Sequence, residues 1–240
     1  MNNTKQNTTT MPAEFFAVAD TLCKKFDLGF QAEVLYKKVT EKITAEKNTA
    51  LSENDVYSFM LECKTMGLNP LAKQIYGFTS GGKLVSIISQ DGWRYIANRD
   101  PNYDGFEVEF GPSVNKTLDY DTFSLVGGQR VKKVISVDRV VVEWIECKIY
   151  LKNRTRPVTF RSYFSESYRP TETWATQPIQ RLQNKAFCNA VKLAFGISAY
   201  TEDDKEIIQN SRAYQEPIIE QQDPKDFVLP QINEIDKIDF

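Results

Sequence analysis

Histidine is absent from all 240 residues. With it go the commonest general base at neutral pH and the commonest metal ligand, so every catalytic triad that needs an imidazole is excluded. Cysteine is sparse: Cys23, Cys63, Cys147 and Cys188 lie far apart with no Cys-x-x-Cys pair. Each falls in an apolar-periodic segment, which reads as a buried free thiol rather than a zinc ligand or half of a disulfide. No stretch approaches the roughly 18 to 20 apolar residues that a membrane span requires. The first ten residues are rich in Asn, Thr and Gln and hold no apolar core of a signal peptide. The chain reads as cytosolic, with no membrane partner.

Net charge is nearly absent too, at −2, which looks wrong for a polyanion binder until it is divided along the chain. From Glu202 to Phe240 there are eleven Asp and Glu against four Lys and Arg, so residues 1–201 carry 26 basic and 21 acidic side chains. Residues 130–169 alone hold ten basic and four acidic. A basic body with an acidic tail suits a protein that grips a polyanion, although a solvated basic face has the same composition.

What is present is 41% hydrophobic and 12% aromatic residues, enough for a substantial core. Residues 1–12 read as a disordered leader, 13–200 as one working domain and 201–240 as an acidic tail or linker. Apolar residues recur at helical spacing through Phe15, Phe16, Ala19 and Leu22, and again through Val34, Leu35 and Val39, with Gly29 between two helices. A third helix begins at an N-cap Ser52, carries Val56, Phe59, Met60 and Cys63 on one stripe, and stops at Gly67. Gln74–Thr79 and Lys83–Ile88 read as strands joined by Ser80-Gly81-Gly82. A short helix with Trp93, Ile96 and Ala97 packed inward lies between Asp91-Gly92 and Asp100-Pro101. Further strands are expected at Phe106–Phe110, Val137–Leu151 and Val158–Phe164, whereas Asn115–Val131, with its Gly127-Gly128, resists assignment. The last element is a helix from Pro178 to Phe195, started at Thr176 and ended by Gly196. The expected fold class is α+β: an antiparallel hairpin and sheet core packed with helices, N-terminal helices, and a long basic helix after the sheet.

Gly77 to Lys83 satisfies G-x-x-x-x-G-K, most of a phosphate-binding loop. The next residue must be Ser or Thr to ligate magnesium and the loop must open a helix, yet Leu84 to Ile88 continues as a strand. A hairpin is the better reading. More telling is the helix after Pro178. At about 100° per residue, Lys185, Asn189 and Lys192 fall within about 80° of Arg181, with Leu182, Ala186, Ala190 and Leu193 opposite. A row of cations on a rigid helix can track a phosphate backbone, and the counterions it displaces supply affinity without regard to sequence. An ordinary amphipathic surface helix gives the same pattern. Aromatic residues interleave with cations upstream, in Arg161-Ser162-Tyr163-Phe164 and Tyr168-Arg169. Trp174, in a polar stretch, is the ring expected to stack bases.

Gly67-Leu68-Asn69-Pro70 with Lys73-Gln74-Ile75-Tyr76, Asp91-Gly92-Trp93 with Ile96 and Asn98, Tyr103-Asp104-Gly105, and Trp174 with Pro178, Lys185-Ala186 and Leu193-Ala194-Phe195-Gly196 form a combined pattern. It resembles the phage single-strand annealing proteins of the Red-beta/RecT superfamily, closest to the lambda Red beta branch, over about Val56 to Tyr200. The resemblance implies a non-enzymatic, ATP-independent annealing protein that needs no cofactor or metal. It would act in the cytoplasm of a phage-infected or prophage-bearing cell, form rings or helical filaments, hold single-stranded DNA in a basic groove and pair it into an annealed duplex. Positions matching the family's phosphate-contacting cations are Lys73, Arg169, Lys185 and Lys192; Lys83 and Arg181 lie beside matched positions, and Arg161, Trp174, Gln177 and Asn189 complete the expected DNA-binding set. Gln177 stands where the lambda branch has His, and Ile179-Gln180 where it has two basic residues, so some contacts must move, for instance to Arg181. The family's partners also include an exonuclease and a host single-strand binding protein, reached through a C-terminal domain for which little chain follows Tyr214.

Two other readings compete. One is an enzyme, either an ATPase using the Gly77 to Lys83 loop or a nuclease using Asp91, Asp104 and Glu107. The other is an adaptor whose Ile235 to Phe240 end looks like the acidic, aromatic-tipped tails that recruit partners, although a disordered remnant is the better reading of that end.

Overall fold

The structure, a computed structural model, describes residues 12–46, 51–126, 129–204 and 208. The leader up to Met11, Gly127-Gly128 and nearly all of the tail after Asp204 lie outside the described residues. The fold is α+β.

Three helices come first: α1 (Ala13–Lys25), α2 (Ala32–Lys42) and α3 (Glu53–Met66). Their apolar stripes meet in one core, where Leu22, Leu35 and Met60 are fully buried and Phe15 stacks on Tyr57 with ring centroids 4.3 Å apart. Ser52 closes a capping box with Asp55 at the start of α3, and Gly67 ends it in the left-handed region at φ 60. That αL position is one an L side chain adopts at a cost. The Gly67 carbonyl is then held by Arg99 Nη1 at 3.0 Å.

β1 (Ile75–Ser80) and β2 (Lys83–Ile88) pair antiparallel. Gly81 and Gly82 both have positive φ between them, the backbone that a tight two-residue hairpin turn demands. The phosphate-loop pattern is therefore a β-turn whose Lys83 opens a strand. α4 (Gln90–Arg99) follows, capped by Ser89, whose Oγ accepts from Gly92 N at 3.0 Å and donates to the Lys73 carbonyl at 2.8 Å.

A second sheet is built from β3 (Tyr103–Phe110), β6 (Trp144–Leu151) and β7 (Val158–Tyr163), in the order β3-β6-β7. Ile145, Cys147 and Ile149 point inward and are fully buried. Across that face runs α7 (Pro178–Phe195), whose Ala186 and Ala190 let it approach closely. Two short helices, α5 (Phe164–Ser167) and α6 (Glu172–Thr176), lead into it. β8 (Tyr200–Thr201) adds to β2 in parallel, the one exception to antiparallel pairing among the described strands.

The expected strand Val137–Leu151 is two strands. β5 (Gln129–Val142) pairs with β4 (Ser113–Val126), whereas β6 pairs with β3 and β7. Between them Glu143 exchanges partners, its N–H donating to the Pro112 carbonyl and its carbonyl accepting from Phe164 N, both at 2.9 Å. The unassigned Asn115–Val131 thus supplies most of a long two-stranded ribbon. Only the part near the body is buried, through Leu118, Tyr120, Val141 and Val142, while Phe123, Val131 and Val134 are exposed farther out.

Candidate nucleic-acid interface

α7 is the element on which the interface depends. Pro178 fits its first turn because the missing N–H would have no partner there, and Gly196 ends it at φ 65. The cap is Gln177, not Thr176, which instead ends α6. Leu182, Ala186 and Ala190 are fully buried as expected, but Leu193 is 56% exposed. The reason lies in what surrounds the helix. Cys188, only about 20° from Arg181 on the helical wheel, is buried against α4 and bonds Gln90 Oε1 at 3.3 Å. α7 is flanked by the sheet on one side and α4 on another, so its open arc is rotated toward Lys185 and Leu193 and away from Arg181.

The cations of that helix are not bare. Arg181 Nη2 lies 2.6 Å from Asp203 Oδ1 and its Nη1 4.0 Å from Glu202 Oε2. Its Nε is buried with no hydrogen-bond partner. Burial pushes the Asp203 carboxyl above the usual carboxylate range in spite of the guanidinium beside it. Lys185 is half-buried, and desolvation lowers its pKa against the pull of Asp203, Asp204 and Glu166, with Arg169 pushing the same way as burial. Arg169 itself is turned toward backbone, donating from Nη1 to the Tyr168 carbonyl at 2.9 Å and to Glu166 O at 3.3 Å. Asn189 bonds back to the Lys185 carbonyl at 3.1 Å. Lys192, half-buried, sits in the last turn where a cation suits the helix dipole. Gln177 is exposed at the other end.

Lys73 and Lys83 stand at opposite ends of the β1–β2 hairpin, separated by about 20 Å of strand. Lys73 adopts φ +59 in the exposed turn before β1, and its carbonyl is tied to Ser89. Lys83 is exposed at the tip.

Two expected residues belong elsewhere. Trp174 is 1% exposed, because α6 folds its ring inward edge-on to Phe164 and Tyr168 rather than leaving it in a polar loop. As placed, it cannot stack a base. Arg161 projects from the outer face of the second sheet, since its neighbour Ser162 faces in. There it pairs with Glu146 at 3.0 Å and lies 4.0 Å from the Trp144 ring centroid. A sheet separates it from α7, so Arg161 shares no groove with Lys185.

The tertiary structure adds residues that spacing did not single out as a site. A cleft of about 380 Å³ opens between β1 and α7, with Lys42, Thr44, Tyr76, Thr173, Arg181 and Glu202 among its lining. Lys42 is the C-terminal residue of α2, reached only because Thr44 bridges to Phe78 and brings that helix end against β1. Arg94 on α4 and Lys192 both act on the buried Cys188 thiol from its surroundings. Tyr76 lies in the recognisable Lys73 to Tyr76 segment, and its strand position, exposed between buried Ile75 and Gly77, was the available signal.

The arrangement offers positive charge, open clefts and hydroxyls. Among the described residues no group of three or more His, Cys, Asp or Glu side chains is placed to hold a metal ion, and no helix is long and apolar enough to cross a membrane. Two of the three carboxylates considered for hydrolysis are engaged singly: Asp91 faces Arg94 at 3.7 Å, and Glu107 accepts from the Tyr150 hydroxyl at 2.7 Å.

Comparison with known proteins agrees with the motif pattern. The sequence model described as the RecT family matches residues 30–217. The Recombination protein bet of Escherichia phage lambda is 26% identical over 190 residues, covering 72% of this chain and 61% of that protein. The chain therefore spans about three-fifths of the length of the curated relative it matches.

Proposed function

The chain belongs to the RecT family, and from that premise we propose that it is a recombination protein that anneals complementary single strands of DNA without ATP. The observation that carries the reading is the concentration of Arg169, Arg181, Lys185 and Lys192 along and beside α7, with Arg181 and Lys42 lining the cleft between β1 and that helix. Lys73, at the base of the neighbouring hairpin, extends the positive surface; Lys83 at the tip would reach a strand only where it continues past the hairpin. The phosphates of a single strand would lie along these cations with no demand on base identity.

Such a protein requires no fuel. Stacking contributes about 1.4 kcal/mol per base-pair step, so pairing is downhill and only the barrier needs lowering. Intrastrand hairpins and the repulsion of two polyanions make that barrier. Extending one strand on a cationic surface removes the first and weakens the second. Several copies in a ring or helical filament would present a long strand continuously, and the acidic segment after Asp204 is where a partner exonuclease or a host single-strand binding protein would be engaged.

Stopped-flow annealing of complementary oligonucleotides tests this. The purified protein should accelerate duplex formation with ATP absent and gain nothing when ATP is added. Reversing the charge at Lys73, Lys185 and Lys192 together should abolish DNA retention. Annealing at the rate of naked strands, or a triple variant that binds as well as the parent, rejects the proposal.

A further inference from the structure

The cleft between β1 and α7 has the build of a nucleotide site, and we infer that it takes one nucleotide of the bound strand, with the Tyr76 ring stacked on the base and Arg181 and Lys42 directed at its phosphate. This rests on the DNA-binding reading above. At about 380 Å³, the cleft falls in the range of small-ligand pockets, about 300 to 1,000 Å³. Its floor is apolar, from Phe78 at 4% and Ile87 at 2% exposure. Over that floor stands Tyr76, 44% exposed and paired across the strands with Ile87.

A large ring left open on an otherwise buried strand, above an apolar floor, is what a base needs to leave water on both faces. The floor itself is apolar, so the stack makes no demand on base identity, while the Thr44 and Thr173 hydroxyls line the wall. Burial and the nearby Glu202 and Asp91 carboxylates raise the Tyr76 phenol, so its ring stays neutral beside a polyanion. The rim carries two cations, Lys42 and Arg181, beside one carboxylate, Glu202. Lys42 uses one N–H on the Leu71 carbonyl at 2.8 Å, leaving two of its three donors. Arg181 carries its guanidinium at the same mouth, where a phosphate would share it with the Asp203 and Glu202 carboxylates. Trp174, the ring that sequence singled out for stacking, is packed inside, so Tyr76 takes that role.

The test compares oligo(dT) with an abasic oligonucleotide of equal length, which keeps phosphates and removes bases. Dissociation constants from fluorescence anisotropy are needed for the parent, Y76A, Y76L and Y76F. Y76A and Y76L should weaken oligo(dT) binding by about five- to a hundredfold, the range of one base–aromatic stack. They should leave the abasic oligomer nearly unchanged, and Y76F should match the parent on both. Y76L retains apolar bulk on the strand, so a loss confined to Y76A on both oligomers reports folding and overturns the assignment. Equal weakening of both oligomers, or of neither, overturns it as well. A parent protein that binds neither oligomer rejects the DNA-binding reading itself, and a parent that binds both equally rejects only the stacking pocket.

Discussion

Replacing Asp203 with asparagine should free Arg181 for phosphate while leaving the fold standing. In the structure the two side chains are 19% and 12% exposed and 2.6 Å apart, so the carboxylate occupies the position a DNA phosphate would take on that guanidinium. Two effects on stability oppose each other. A hydrogen bond between charged groups contributes about 1.5 to 3 kcal/mol. Against it, burial already holds the Asp203 carboxyl above its ordinary range, so its ionised form is disfavoured in the fold and a neutral amide relieves that penalty. The net change at pH 7 should stay within about 1 kcal/mol, a shift in Tm of no more than about 4 °C for a domain of this size. The pH dependence has a definite sign. A carboxyl whose folded pKa lies above its unfolded value favours folding below the unfolded pKa, and that contribution is lost as the pH rises through the folded one. The parent should therefore exceed D203N in stability by more at pH 4 than at pH 7.

DNA binding should move the other way. One additional phosphate contact steepens the dependence of log K on log salt by about 0.7 for single strands, and a contact of about 1 kcal/mol raises affinity roughly fivefold. Anisotropy titrations of oligo(dT) at four salt concentrations, with melting followed by circular dichroism, give both readouts. An unchanged slope and affinity would show that Asp203 does not compete with phosphate, and a Tm lowered by more than about 10 °C would show that the pair is chiefly structural.

Three further expectations follow from local geometry. In G92A, the new methyl would stand 2.1 Å from the Gln74 carbonyl oxygen and 2.7 Å from an Ile88 methyl; overpacking against backbone should cost about 3 kcal/mol, visible as a large fall in Tm. S52A removes the Ser52 Oγ bonds of the α3 capping box and leaves the backbone N–H of residue 52 on Asp55, about 1 kcal/mol or about 2 to 4 °C in a thermal melt. All four thiols are buried, and burial raises each of them, Cys147 to about 12; the native protein should resist iodoacetamide at pH 8, whereas the denatured chain should react at all four, and rapid native labelling of any one would contradict the packing.

Local signals determined a large part of this molecule. Ser52 with Asp55, Gly67, the Gly81-Gly82 pair and Pro178 with Gly196 act within a few residues of themselves, through φ preferences and caps that any chain obeys, and the elements they bound lie where they were read. The absence of histidine and the scattered cysteines likewise bear on chemistry before folding. What only tertiary structure decided is which side of each element meets what. Strand alternation cannot reveal that β5 leaves β4 and that β6 takes new partners one residue later, because the change is made by Pro112 and Phe164 from distant segments. Helical periodicity placed Arg181 on a cationic face, but the Glu202 and Asp203 carboxylates reach it only because β8 pins that segment beside β2. Trp174 was polar in its neighbours and apolar in its surroundings, since burial is settled by packing at long range and not by the residues on either side. The pocket around Tyr76 likewise draws on α2, β1, β2, α6 and α7, five elements that no local pattern brings together.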